Sequence, residues 1–309
     1  MSNWGKGVIN NIGWGQGANN DIGWGSIYDK SNAGETLLSG GGSGYNAFII
    51  EIKTDELGIS NNDQFQFTGG QGDYDVVAKQ GGAVVETFSD LSDEATITFA
   101  NGAGTYILEL TPKEVNPFTG IRFNDGGDVE KLMKIKQWGL FSDTRNDLFY
   151  GAENLTTLPV NNDYLNGIEN INNLFRECPN IILSESITFE EVKTGTNAFL
   201  FSQLSSLPSG MNLPNLELAI NMLRGCNLID LPLGMTLPNI TDATNFLQDS
   251  TINTARYSQL LVDMEAGNSN NNVSFHGGGS KYNDAGEVAR NALADAAGRN
   301  WSFTDGGKE

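Results

Sequence analysis

Residues 173–178 read Asn-Leu-Phe-Arg-Glu-Cys, and related hexapeptides begin at Asn197, Asn221 and Asn245, each 24 residues after the last. A further copy begins at Asp147, 26 residues before the first of these. Every copy starts with asparagine or aspartate, continues with two apolar residues and ends with alanine, cysteine or serine. Such a period is typical of similar coils that stack to bury a core no single coil could close.

The repeated positions predict what each column of side chains does. We expect the asparagines to form a buried ladder whose side-chain amides satisfy the turning backbone of successive coils; its members are Asn173, Asn197, Asn221 and Asn245. The small residues fit where coils crowd together, and Cys178 and Cys226 belong to this column. These cysteines lie two coils apart, so their Cα atoms should be separated by about 10 Å. That exceeds disulfide reach, and both are predicted to be free thiols.

The repeats resemble BspA-like leucine-rich repeats, with the resemblance running over residues 120–250. It includes the preceding segments Ile121–Asp128 and Lys134–Gly139, the second of which ends in Gln-Trp-Gly. The resemblance implies a leucine-rich-repeat solenoid, here residues 116–252, in a surface or adhesion protein. It implies no catalytic residues.

Residues 45–115 alternate apolar and polar side chains between glycine-containing turns such as Gly81-Gly82, a pattern that predicts a small β-sandwich. The strand candidates are Phe48–Ile52, Gln64–Phe67, Asp75–Ala78, Ala95–Phe99 and Tyr106–Leu110. The stretch 95–107 resembles the last hairpin of a PKD-like immunoglobulin-type domain. That family's usual Trp-Gly-Asp-Gly turn is absent, since Lys79-Gln80-Gly81-Gly82 lies near its place. The resemblance implies no ligand.

Residues 253–309 differ in composition from the repeats. They predict helices over Ala255–Met264 and Asp284–Ala297, and short strands over Val273–Phe275 and Trp301–Thr304. Because the last coil of a stack needs a polar-faced lid over its core, we interpret this segment as an α/β C-terminal cap. The predicted fold class is therefore mixed β and α/β repeat, a small β-sandwich followed by a short leucine-rich-repeat solenoid and this cap.

Trp4, Trp14 and Trp24 lie ten residues apart, and each is followed by glycine. A segment so rich in glycine is not expected to fold alone. Its evenly spaced indoles suggest anchors that insert into pockets on a partner. A flexible, sticky tail is the alternative, although it gives no reason for regular spacing. The predicted anchoring segment is residues 1–44, and its anchoring residues are Trp4, Trp14, Trp24, Ile12, Ile22 and Tyr28. The segment ends in a flexible Gly-Ser joint at residues 40–44.

This segment resembles the N-terminal peptides of structural proteins from tailed bacteriophages of Bacteroidetes-type hosts. The resemblance rests on the Asn-Ile-Gly-Trp-Gly-Gln-Gly run at residues 11–17 and on Trp24-Gly25-Ser26-Ile27-Tyr28. It implies a virion component that residues 1–38 dock onto other particle proteins, such as the capsid, the portal or collar, or the tail. Because phage fibres and spikes are commonly trimeric, it also suggests a homo-oligomer, with a trimer as the expected form.

The net charge of −20 repels phosphate backbones, so nucleic acid is not an expected partner. No stretch reaches the roughly 18 apolar residues of a membrane helix, and the first residues lack the apolar segment of a secretory signal. We therefore expect synthesis in the host cytoplasm and no membrane insertion, and the resemblance to phage structural proteins implies a final place in the virion.

Few side chains in this sequence suggest chemistry. His276, which precedes a glycine run, is interpreted as a solvated loop histidine. Asp125 and Asp128 could hold Ca²⁺, but a tight turn is the simpler interpretation and is favoured. The sequence thus predicts no catalytic residue, no metal and no cofactor.

The leading hypothesis is a phage head or tail fibre, or a spike, whose repeats face a glycan or protein of the host surface. The alternative is a bacterial surface adhesin of the BspA-like leucine-rich-repeat type. A virion enzyme that cleaves polysaccharides is a third class, and no glycosidase motif supports it.

Overall fold

The computed structural model describes residues 46–309. Within them the protein is mostly β, with one five-stranded antiparallel sheet and three α-helices. The strands that precede the repeats are β1 (Phe48–Lys53), β2 (Gln64–Gln66), β3 (Asp73–Gln80), β4 (Ala83–Ser92), β5 (Thr96–Thr98), β6 (Thr105–Pro112) and β7 (Leu132–Gln137). The large sheet has the order β4-β3-β6-β1-β7, and β2 pairs with β5 in a separate two-stranded sheet.

The inner strands form where apolar residues alternate with polar ones. In β1 and β6 every second side chain is buried, and the register places Ile50 opposite Leu108. Gly81 and Gly82 join β3 to β4 with φ values of 58° and 85°, as a two-residue turn between antiparallel strands requires. The five strand candidates from the sequence are confirmed.

Strand β4 was not predicted. It lies at the edge of the sheet and buries neither face completely, so its sequence lacks a clear apolar alternation. Phe88 and Leu91 pack only partly against the core. An edge strand of this kind gives the period-two pattern little to detect.

Strand β7 lies beyond residue 115, where the sequence placed the end of the β domain. It pairs with β1 and buries Leu132 and Ile135 against the sheet. From β7, Lys134 forms a parallel bridge with Thr157, which in turn bridges Ile182. The sheet and the first repeats thus share β7.

Repeat segments one period apart pair in parallel through their backbones. Backbone N–H groups donate from Phe149 to Leu174 (3.2 Å), from Phe175 to Ala198 (2.9 Å), from Phe199 to Met222 (2.9 Å) and from Leu223 to Phe246 (3.1 Å). Parallel bridges connect Asn170, Thr194, Leu218 and Asp242 in the same order. Corresponding residues of successive copies therefore lie beside one another.

A continuous apolar column fills the space inside these segments. Phe149, Phe175, Phe199, Leu223 and Leu247 are each fully buried. The first three rings stack with centroid distances of 5.8 Å and 6.0 Å. The core thus runs from copy to copy, as the repeated apolar pairs predicted.

The C-terminal segment continues the pairing. Helix α1 (Asp163–Gly167) lies within the first repeat, and the later elements are α2 (Thr254–Gly267), β8 (Ser274–His276), α3 (Asp284–Ala294) and β9 (Ser302–Thr304). Ala243 and Leu247 donate to carbonyls of β8, and β8 pairs in parallel with β9. Both predicted C-terminal helices and both strands are present, although α3 ends three residues before the predicted Ala297.

Candidate functional site

The predicted anchoring residues Trp4, Trp14, Trp24, Ile12, Ile22 and Tyr28 lie outside residues 46–309, which the structure describes. Their docking role therefore stays a prediction from the sequence. The other predicted residues lie in the repeats and are described below.

The asparagine column has a common backbone conformation. Asp147, Asn173, Asn197, Asn221 and Asn245 have φ values of 65°, 54°, 56°, 53° and 59°. This left-handed region is unfavourable for most L-residues, whereas asparagine and aspartate tolerate it. The turn at the start of each copy therefore selects these residue types, a backbone requirement that was not part of the predicted ladder.

The asparagine side chains do form a ladder, but its bonding differs from the prediction. Nδ2 of Asn221 donates to Oδ1 of Asn197 at 3.0 Å, and Nδ2 of Asn245 donates to Oδ1 of Asn221 at 3.0 Å. These amides bond to one another rather than to backbone, and the asparagines are half-buried rather than buried. The ladder does not extend to Asn173, whose buried Oδ1 has no hydrogen-bond partner.

The two cysteines are free thiols, as predicted, and both are buried. The Cys178 thiol donates to the Phe149 carbonyl, with Sγ 3.1 Å from the oxygen, and the Cys226 thiol lies 3.4 Å from the Phe199 carbonyl. Burial raises the pKa of Cys178 and raises that of Cys226 to about 11. Neither thiol is therefore poised as a nucleophile.

Asp125 and Asp128 do not converge on a cation site. Asp125 is exposed, whereas Asp128 is fully buried and accepts hydrogen bonds from the backbone N–H groups of Ser60 (3.0 Å) and Gln66 (2.7 Å). Nζ of the buried Lys131 lies 3.7 Å from its carboxylate. Within residues 46–309, no group of three or more His, Cys, Asp or Glu side chains is placed to hold a metal ion.

His276 is not a loop residue, contrary to the sequence interpretation. It ends strand β8, is half-buried, and its Nδ1 accepts a hydrogen bond from the backbone N–H of Gly278 at 3.0 Å. Burial lowers its pKa. The glycine run that follows His276 is typical of a loop, so the sequence gives no sign that β8 extends to His276.

One surface of the repeats carries a group of aromatic and arginine side chains, here called the aromatic–arginine strip: Tyr150, Arg176, Phe201 and Arg224. The guanidinium of Arg176 lies over the Tyr150 ring at 4.4 Å from its centroid. That of Arg224 lies 5.7 Å from the Phe201 centroid. Both distances are within the range of cation–π contacts.

The strip follows the repeat. Tyr150, Arg176 and Arg224 each come three positions after the asparagine or aspartate that begins their copy, and Phe201 comes four positions after Asn197. Backbone pairing between successive copies brings these positions side by side. These positions are visible in the sequence only when outward-facing columns are aligned, because the residues in them are not all of one type.

A carboxylate lies beside each arginine of the strip. Nη2 of Arg176 is 3.0 Å from Oε1 of Glu177, and Nε of Arg224 is 3.5 Å from Oδ2 of Asp249. About a third of each arginine side chain is exposed, at 31% and 32%. The strip can therefore offer aromatic faces together with planar donors and acceptors, which suits binding rather than bond-breaking chemistry.

Comparison with protein-family models, curated protein sequences and solved structures finds no match to this chain. Between residues 46 and 309, no helix is both long and apolar enough to cross a membrane.

Proposed function

We propose that this chain is a non-enzymatic structural and attachment protein of a bacteriophage particle, a head or tail fibre or a spike. Residues 1–38 dock it to other virion proteins, and the repeats present a surface to a glycan or protein of the host cell. The particle-bound form is expected to be a homo-oligomer, with a trimer as the first candidate.

The observation that carries this proposal is the series of backbone hydrogen bonds between parallel repeat segments, which runs from Phe149 to His276. Stacked segments of this kind expose long columns of side chains on a rigid frame, an arrangement that serves binding. The Trp-Gly repeat of residues 1–28 supports the particle-docking part, because three indoles at equal spacing suit three pockets on a partner.

The finer architecture belongs to the same proposal. It comprises a PKD-like β-sandwich at residues 45–115, whose large sheet extends beyond that boundary through β7, a BspA-like leucine-rich-repeat solenoid at 116–252 and an α/β cap at 253–309. The 24-residue hydrogen-bond register supports the solenoid, and aromatic contact between Phe67 and Tyr74 at 5.2 Å supports packing of the small sheet on the large one. The pairing of β8 with both the last repeat and β9 supports the cap.

Immuno-electron microscopy tests the proposed location. An antiserum raised against the full recombinant chain is applied to particles purified from a lysate of cells that express the gene, and to intact cells. Regular labelling of particle heads or tails supports a virion protein. Labelling confined to the cell envelope contradicts it and favours the bacterial adhesin.

A further inference from the structure

Phe201 occupies a backbone position that disfavours its own residue type. Its φ is 59°, and its counterparts in the other copies, Gly151, Glu177, Gly225 and Asp249, also have positive φ values, of 81°, 54°, 72° and 70°. A bulky residue in this region is uncommon. Phe189 and Leu237 also have positive φ values, but both are fully buried in the core, whereas Phe201 is exposed. The repeat backbone thus explains glycine or aspartate in this column and does not by itself explain an exposed phenylalanine.

Core packing does not explain Phe201 either. The residue is 45% exposed, and its ring lies against Gly225, where an added Cβ would come within 2.3 Å of Cδ1. The Arg224 guanidinium covers one part of the ring. The neighbouring copy therefore leaves room for a phenyl ring that remains open to a ligand.

The size of the apolar surface argues against a protein ligand. Phe201 is the one exposed large apolar residue of the aromatic–arginine strip, and the neighbouring Leu200 is buried. A stable protein interface buries about 800 Å² on each partner around a largely apolar centre. A single exposed ring flanked by polar groups fits a smaller, narrower ligand.

The charges argue against an anionic ligand. Glu177 pairs with Arg176 at 3.0 Å, and Asp249 lies 3.5 Å from Nε of Arg224 without hydrogen-bonding to it, on a chain whose net charge is −20. A phosphate or carboxylate would have to displace these partners and approach a negative surface. A neutral hydroxyl can instead accept from a guanidinium and donate to its carboxylate partner, so that neither ion pair is disrupted.

From these observations we infer that the aromatic–arginine strip binds an uncharged host-surface glycan, whose sugar ring stacks on Phe201. The inference rests on the proposed attachment function and adds the ligand class and the residues. A sugar ring has an apolar face of C–H groups that packs on an aromatic ring, while its hydroxyls reach the arginine–carboxylate pairs. Arg176 and Arg224 belong to copies two apart, a separation of about 10 Å at ordinary strand spacing. That separation is comparable to the length of a disaccharide, so two neighbouring sugars of an extended chain could span the two arginines.

The test compares three forms of the full chain on a printed array of neutral and acidic microbial glycans. In Phe201→Asn the ring is replaced by a residue that suits a positive φ, so the variant should fold at least as well as the parent. The matched control is Leu233→Asn, which also replaces an exposed apolar residue of the repeats, at 83% exposure, but outside the strip. We expect the parent and the control to bind the same neutral glycans, and Phe201→Asn to lose at least ten-fold in affinity.

Two results would overturn the inference and leave the attachment function in place. One is equal binding by Phe201→Asn and the parent. The other is an array without any bound neutral glycan, combined with attachment to host cells that survives periodate oxidation and is lost after protease treatment, which would identify a protein receptor. Failure of the proposed function would look different, because the chain would then be missing from particles and would not attach to host cells.

Discussion

Asn221 donates from Nδ2 to Oδ1 of Asn197 at 3.0 Å while its own backbone is held at a φ of 53°. One residue thus meets two requirements of the repeat. Its short polar side chain tolerates the left-handed turn, and its amide connects neighbouring copies, since its Oδ1 also accepts from Asn245. Two substitutions at this position separate the two contributions.

Asn221→Leu should lower the free energy of unfolding by about 1–3 kcal/mol, because it removes two hydrogen bonds and places a branched apolar side chain in the left-handed region. Asn221→Gly removes the same hydrogen bonds but relieves the backbone, so it should be less destabilising than the leucine variant. Urea denaturation of the full chain measures both. Equal stability of Asn221→Leu and the parent would refute a structural role for the ladder.

Lys131→Met should destabilise the protein by about 3–5 kcal/mol, because it leaves the Asp128 carboxylate buried without its cation. Lys131 also donates from Nζ to the carbonyls of Ser60 (3.1 Å), Asn61 (2.9 Å) and Gln64 (3.0 Å), so the loop before β2 should loosen. Urea denaturation of Lys131→Met, Asp128→Asn and the double variant completes a thermodynamic cycle. If the two single effects simply add, the pair does not act as a unit.

The free energy of unfolding should depend on pH through Cys226. Burial raises the pKa of this thiol from 9.0 to about 11 in the folded protein, so the unfolded chain releases the proton first. The protonated, buried thiol therefore makes its full contribution to the free energy of unfolding below pH 9, and this contribution is lost as the pH rises towards 11. Cys226→Ser removes it and matches Ser202 and Ser250 of the same buried column.

Between pH 8 and pH 10, the parent should lose about 1 kcal/mol more stability than Cys226→Ser. Urea denaturation at both pH values measures the difference. Cys178→Ser is a second test of the same effect, and it should behave like Cys226→Ser because burial raises the pKa of the Cys178 thiol as well. Parallel pH dependence of the parent and both variants would show that neither thiol is protected from ionisation.

Arg256 of α2 binds the carbonyls of the preceding coil, at 3.2 Å from Leu231 (Nε), 2.6 Å from Pro232 and 2.9 Å from Met235 (both Nη2). Arg256→Met should cost about 1–3 kcal/mol, since these buried carbonyls lose a donor. Arg256→Lys should recover only part of the lost stability, because an ammonium group still donates hydrogen bonds but cannot match the planar fork of guanidinium donors. Hydrogen exchange of α2 locates the effect, and unchanged protection in Arg256→Met would show that Arg256 does not hold α2 against residues 231–235.

The sequence revealed those features that repeat with a single period. Apolar pairs such as Leu174-Phe175 fall every 24 residues, so the core column and its register could be predicted. Strand β4 could not, because an edge strand with both faces partly exposed carries little periodic signal. Bond partners within the asparagine ladder depend on side-chain geometry, which spacing alone does not fix.

The candidate site was harder to predict than the core for a physical reason. Tyr150, Arg176 and Arg224 share a column with Leu200 and Gln248, so no single residue type repeats along it, as expected where no packing requirement selects one type. Phe201 is recognisable only from its positive φ together with its exposure, and both are properties of the folded chain.

Deletion of residues 1–38 should leave the melting temperature of the remainder unchanged and abolish incorporation into particles. The described core lies entirely within residues 46–309, so the deletion removes none of it. Each indole of the deleted segment can bury up to about 250 Å² on a partner, worth several kcal/mol at about 25 cal/mol per Å². Linked contacts reinforce one another, so Trp14→Ala alone should weaken incorporation without abolishing it.

Quantitative immunoblotting of purified particles measures incorporation, and calorimetry of the free proteins checks folding. Normal incorporation of the truncated chain would place the anchor elsewhere, with the β domain as the next candidate.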